Sequence, residues 1–258
     1  MLVEIRTAGR QQDGSTTRRR ARVQRLADNG PICRNVWVGR DVANEVGANK
    51  SMPSKASKAS KAQPIALRVE LLDIDPLVWR RIIVANHWTL ASLHHYLQWV
   101  MGWSDTHAHE FHAGSHVVAP EWWIEEIGFD NDTANYRNER RISVGALVAE
   151  LGRAGEFEYH YDMGDGWRHR IVVETVPVAW REFELPLPVC TAGEHACPPE
   201  DVGGPHGYKN FRAAISNPQH EEFAALLNWI GGVFDPKGFD INRINKEWRA
   251  AKRRRGFI

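Results

Sequence analysis

The chain has 258 residues, 43% of them hydrophobic and 25% charged, with a formal net charge of +1 and three cysteines. This is the composition of a globular protein; it excludes a disulfide-stapled secreted scaffold, and apolar runs as short as Ile82–Ala85 exclude helical membrane spans of roughly 20 residues. The near-neutral total hides a split, because residues 1–62 hold 13 Lys/Arg against 5 Asp/Glu (net +8) and residues 63–258 hold 20 against 27 (net −7).

Residues 1–63 show no sustained hydrophobic period. The basic run Thr16–Arg25 and the Ser/Lys/Ala linker Ser51–Pro64 cannot bury enough apolar surface to offset chain entropy, which predicts a disordered tail. Met52 heads that linker, and the expectation is that the native chain starts there, with 1–51 an upstream extension. The N-terminus lacks an apolar signal core, which together with the sparse cysteines predicts a cytoplasmic protein. The basic ends, 1–62 and Lys246–Arg255, are candidate weak nucleic-acid contacts, with a solvated charge run as the simpler account. The −7 body lacks the positive footprint that phosphate binding requires.

Residues 64–258 have the pattern of one folded domain. Ile65, Leu67, Val69 and Leu71 alternate with Ala66, Arg68 and Glu70, the period of a half-buried strand. Asp73-Ile74-Asp75-Pro76 makes a turn, and Leu77–Ala85 continues as a second strand. Thr89 caps a helix whose Leu90, Leu93, Leu97, Val100 and Met101 form one stripe, closed by Gly102. Short strands are expected at His107–Ala113 and Ser115–Val118, and Ser143 caps a short helix ending at Leu151. Glu156–Asp162 and Trp167–Val176 flank Met163-Gly164-Asp165-Gly166, a hairpin signal because Asp and Gly tolerate positive φ. The last third is helical: Pro205–Ser216, then a helix capped by Asn217 with Phe223, Leu226, Leu227 and Ile230 buried, then Asp240–Arg253. Strands and helices do not alternate regularly, so the predicted class is α+β, an antiparallel or mixed sheet packed by helices.

Three polar stretches carry candidate chemistry. In Asp105–His112, a strand would place His107 and His109 on one face, where imidazoles two residues apart can chelate a metal; a turn cap and a surface histidine explain the pair equally simply. In the hairpin, a Gly164-Asp165 loop sets His160 opposite His169, whereas an Asp165-Gly166 loop sets Asp162 opposite His169, an Asp–His pair suited to a base or a metal ligand. A structural Asx turn beside a buried Trp is the competing account. In Cys190–Tyr208, Cys190 and Cys197 are separated by six intervening residues with His195 and His206 nearby, so a Zn²⁺ set can be written, although the spacing is wider than that of a standard knuckle. Glu200 and Asp201 add carboxylates for a metal or a general base. A rigid Gly/Pro loop with inert thiols is the plain alternative. Phe234-Asp235-Pro236 and Phe239-Asp240 read as core and cap chemistry.

Five ordered blocks, LRVELLDIDPLVWRRIIV, LHHYLQWVMGWSDTHAHEF, YHYDMGDGWRHRIVVE, CTAGEHACPPEDVGGPHGY and WIGGVFDPKGFDINRIN, resemble the plasmid pRiA ORF-three-like family, some members of which are labelled resolvase-like passengers of transposons. The resemblance covers about residues 65–250 and implies a compact α+β fold without implying an activity. Val202 stands where it implies a further Cys, which weakens a cysteine-only metal set. A serine resolvase needs a nucleophilic Ser among several Arg; no Ser here lies in such a cluster, so recombinase chemistry is rejected. Three classes of function follow. The first is a binding or accessory module of a mobile element, with the Cys190–Tyr208 loop as its contact surface. The second is a metal-dependent, hydrolase-like enzyme using His107, His109, Asp162, Asp165, His169 and Glu200 or Asp201. The third is a domain stapled by Zn²⁺ through Cys190, Cys197 and a His.

Overall fold

The computed structural model describes residues 62–129, 133–152, 155–178 and 186–254. The basic tail, Cys33 and the expected start at Met52 lie outside the described residues. Eight strands form one mixed sheet: β1 (Pro64–Leu71), β2 (Trp79–Ala85), β3 (His109–Ala113), β4 (His116–Ala119), β5 (Tyr136–Asn138), β6 (Glu156–Tyr161), β7 (Trp167–Glu174) and β8 (Val189–Glu194). Their spatial order is β5-β4-β3-β6-β7-β1-β2-β8. Neighbours are antiparallel except β4 and β5. Among the described residues six α-helices accompany the sheet: α1 (Leu90–Met101), α2 (Glu121–Ile127), α3 (Val144–Leu151), α4 (Gly204–Ile215), α5 (Phe223–Trp229) and α6 (Ile241–Arg254). The class is α+β with a helical C-terminal part, and no described helix is long and apolar enough to cross a membrane.

Strand alternation gives the sheet two unlike faces. Leu67, Val69, Leu71, Ile82, Val84, Phe111, Tyr159 and Ile171 pack into the same cluster as the α1 stripe Leu90, Leu93, Leu97 and Val100. Each such side chain contributes roughly 1.5–3 kcal/mol by leaving water. The opposite face carries a ladder of charges, including Arg68–Glu70, Arg81–Glu174 and Arg170–Glu156. The α1 caps follow the expectation: the Thr89 side chain accepts from the Ser92 amide, and Gly102 closes the helix in the left-handed region. Ser143 likewise caps α3.

Three expectations need correcting. Strand β3 begins at His109, so His107 belongs to the preceding loop. The Asn217 side chain accepts the Gln219 amide two residues on, an Asx-type turn, and α5 starts only at Phe223. The stretch around Cys190 is an edge strand, tolerated because Gly193 lacks a Cβ that would strike Phe239 and the Trp79 carbonyl. Beyond that strand, the Asn245 amide of α6 accepts from the Cys190 N–H at 2.9 Å and donates to the Cys190 carbonyl at 2.8 Å.

Candidate functional site

Three loops meet at one end of the sheet: 102–108 between α1 and β3, the 162–166 hairpin tip, and 195–203 between β8 and α4. The hairpin pairs Tyr161 with Trp167 and Tyr159 with His169, so neither anticipated register occurs and five residues form the loop. Asp162 therefore faces no strand partner. Its Oδ1 accepts the Gly164 and Asp165 amides at 3.0 and 3.2 Å, which turns Oδ2 toward His107. His107 Nε2 lies 3.6 Å from Asp162 Oδ2 and 3.1 Å from Asp201 Oδ1. That nitrogen is shielded from solvent and, despite the short approach to Asp201, is not aligned with a hydrogen-bond partner. Both carboxylates sit on residues with positive φ, 58° for Asp162 and 57° for Asp201, a conformation that non-glycine residues adopt where the surroundings impose it.

The loops are tightly braced. Glu200 accepts from the Ser104 amide at 3.0 Å, from the Ser104 and Thr106 hydroxyls, and from the Tyr161 hydroxyl at 2.5 Å. Four donors occupy its oxygens and make it a clamp between loops, rather than a carboxylate free for the general-base role suggested by its sequence position. Burial, with the Glu200 carboxylate second, holds the Tyr161 phenol protonated well above its ordinary range. Asp165 Oδ2 accepts the Gly203 amide at 3.1 Å, tying the hairpin tip to the start of α4. Gly204 touches the Asp165 carbonyl so closely that any Cβ there would collide with it.

A second imidazole–carboxylate cluster lies deeper. The Gln98 amide donates to the Tyr159 hydroxyl at 2.9 Å, so that hydroxyl donates onward to His94 Nδ1 at 2.8 Å. His94 therefore carries its proton on Nε2 and gives it to Asp105 Oδ1 at 2.7 Å, while the Asp105 amide returns to Gln98 Oε1 at 3.1 Å. The ring of bonds closes with every partner satisfied. Burial pulls His94 down to about 4, a neutral imidazole at pH 7. Burial alone would raise the Asp105 carboxyl, but hydrogen bonds from His94 and His95 outweigh it and hold it well below the usual range. His109 stacks on His94 with ring centroids 3.4 Å apart and planes 3° from parallel, and meets Glu139 at 2.8 Å.

His94, Asp105 and His109 form a compact ligand set, as do His107, Asp162 and Asp201. Only the second suits an ion. Ring-nitrogen lone pairs lie in the ring plane, and parallel planes 3.4 Å apart cannot both aim at one ion about 2.0–2.1 Å from each nitrogen. Around His107, separations of 3.1 and 3.6 Å match neighbouring ligand atoms on an ion with bonds of about 2.0–2.2 Å.

Residues 63–243 match the family described as Plasmid pRiA4b ORF-3-like protein. The chain belongs to this family. The uncharacterized protein y4hQ of Sinorhizobium fredii (strain NBRC 101917 / NGR234) is 37% identical over 190 residues, covering 72% of this chain and 90% of the relative. The crystal structure of a protein of unknown function, MM3350 from Methanosarcina mazei Go1, is similar with a TM-score of 0.58 and 28% identity, over 70% of this chain and 96% of that one.

In this pRiA4b ORF-3-like chain the anticipated polar residues divide. His107, Asp162 and Asp201 come together, with Glu200 and Asp165 bracing their loops. The expected His107–His109 chelate is not formed, because His109 turns inward to Glu139 while His107 leaves the strand. His169 does not meet Asp162: it is fully buried, donates from Nδ1 to the Tyr159 carbonyl at 3.0 Å, and is driven by burial down to about 3. The zinc set is not assembled. Cys190 and Cys197 are buried free thiols pushed up by burial to about 11 and about 12, whereas His195 bonds the Leu77 carbonyl and His206 bonds Asn210. Among the described residues neither compact ligand set contains a cysteine. His94, Glu139, Tyr159 and Tyr161 also belong to these clusters and carry no motif that marks them in the sequence. His94 had one usable signal, a polar residue between Leu93 and Leu97 on an otherwise apolar stripe.

Proposed function

We propose that this pRiA4b ORF-3-like protein is a binding module that holds a divalent cation on His107, Asp162 and Asp201. One imidazole with two carboxylates suits borderline Zn²⁺ or the harder Mn²⁺. The observation that carries the reading is the buried, unaligned His107 Nε2 within 3.1 and 3.6 Å of two carboxylate oxygens. The Asp162 turn and the Glu200 clamp support it, because they fix ligand positions before any ion arrives. A hydrolase-like use of the ion is the second reading. It is favoured by the 70% exposure of the Asp201 side chain, which leaves one side of the set to water and an incoming substrate.

Titration calorimetry of the untagged chain with Zn²⁺ and with Mn²⁺ tests the proposal. The expected result is one ion per chain, lost in His107→Ala and in Asp162→Asn and kept in Cys190→Ser. Absence of binding, or binding that survives both site variants, would overturn it.

A further inference from the structure

Helix α2 presents a stripe that neither the core nor the cation set uses. Its sequence, EWWIEEI, is followed by Gly128 and Phe129. Burial alternates at helical spacing: Trp123, Ile124 and Ile127 are half-buried, whereas Trp122, Glu125, Glu126 and Phe129 are exposed. Trp123 sets this rotation by donating from Nε1 to Glu110 Oε1 at 2.8 Å. The outward positions Trp122, Glu125 and Glu126 thus read aromatic, acid, acid, and Phe129, in the turn just past the helix, adds a second exposed ring, with Trp122 56% and Phe129 88% exposed. Leaving large aromatics in water forgoes their burial, and such a patch marks a contact surface when its neighbours share one chemistry. Here they do: Glu121, Glu125 and Glu126 all lie on the exposed side, and no basic residue occurs between Glu121 and Asn135. The −7 net charge of residues 63–258 adds to that field.

We infer that the exposed stripe of α2 docks a basic segment of a partner protein, one in which arginine or lysine alternates with apolar residues. Guanidinium groups would lie over the Trp122 face and pair with Glu125 and Glu126, while the apolar residues cover Phe129. Charge complementarity selects this occupant. A nucleic acid is repelled by the same carboxylates, and the same face of a second copy would bring acid against acid.

Anisotropy of a labelled synthetic peptide of alternating arginine and leucine, added to the full chain, tests the inference. Binding is expected to weaken roughly tenfold or more in Trp122→Ala and in the Glu125→Gln/Glu126→Gln double variant, and again when salt rises from about 50 to about 500 mM. All three side chains are exposed, so these variants leave the core intact. No binding, or binding indifferent to both variants, would overturn the inference. So would self-association of the chain abolished by Trp122→Ala, which assigns the stripe to a second copy. A carbodiimide cross-link from Lys55, Lys58 or Lys61 to Glu125 in the chain alone would overturn it too, by assigning the stripe to the chain's own tail.

Discussion

His107 and His109 stand two residues apart, yet each belongs to a different kind of imidazole–carboxylate cluster. His109, in a closed cluster, pairs with Glu139 and stacks on His94, whose hydrogen bonds close a ring through Asp105, Gln98 and Tyr159, and the two imidazoles lie too flat to share an ion. His107, with Asp162 and Asp201, sits in an open one, where the nitrogen has carboxylates within reach and no aligned bond. Identical side-chain chemistry is thus closed on itself in one place and left open in the other. What separates them is whether every donor has been matched to an acceptor.

That contrast predicts opposite responses to truncation. His94→Ala strips a buried partner from both Tyr159 and Asp105 and leaves a hole, so urea unfolding at pH 7 should show a loss of about 3 kcal/mol or more. His107→Ala should cost under about 1 kcal/mol in the same assay; equal losses would erase the distinction.

Acid should attack the closed side first. His94 and His169 are held at about 4 and about 3 against an ordinary 6.5, so the unfolded chain takes up protons before the folded one. Their stabilisation is complete above pH 6.5 and is lost as pH falls through the window down to about 4 for His94 and about 3 for His169, at roughly 1.4 kcal/mol per unit of pKa difference. Unfolding free energies that stay flat between about pH 6.5 and pH 5 would contradict this.

Tyr161 probes the join between the two clusters. Tyr161→Phe removes the bond to Glu200 and the acceptor for the Thr106 amide. A loss of about 1–3 kcal/mol in urea is expected, with cation affinity down roughly tenfold by calorimetry. The gentlest test is Asp162→Asn. The amide oxygen can still accept from Gly164 and Asp165, so stability should change by less than about 1 kcal/mol while cation binding disappears. Binding retained in that variant would move the ion elsewhere.

Local signals carried much of the fold. Alternation in Ile65–Leu71, the Thr89 and Ser143 caps and the glycine after Met101 all act within a few residues, and each appears where the pattern puts it. Strand β8 was illegible because Gly193 weakens any strand pattern, and only the pairing with β2 reveals why a glycine is required there. The site was half legible. Residue type and spacing singled out His107 and Asp162 on expected strands and Asp201 in an irregular stretch, but their meeting depends on three loops far apart in sequence. The hairpin register failed for a related reason: Asp162 satisfies its own loop amides, which widens the turn to five residues and turns the strand faces with it. Cys190 and Cys197 promised a metal by residue type alone, and burial without convergence withdrew it.

An open eight-stranded sheet has two outer edges, each able to recruit a foreign strand and seed a growing stack of molecules. At the β8 edge, the Asn245 side chain occupies both backbone groups of Cys190 as an added strand would. One amide carried on a helix therefore fills the place a foreign strand would take at that residue. The sheet cannot be extended at that residue unless α6 first lifts away, which places the molecule's resistance to fibre formation partly in how firmly its last helix is held.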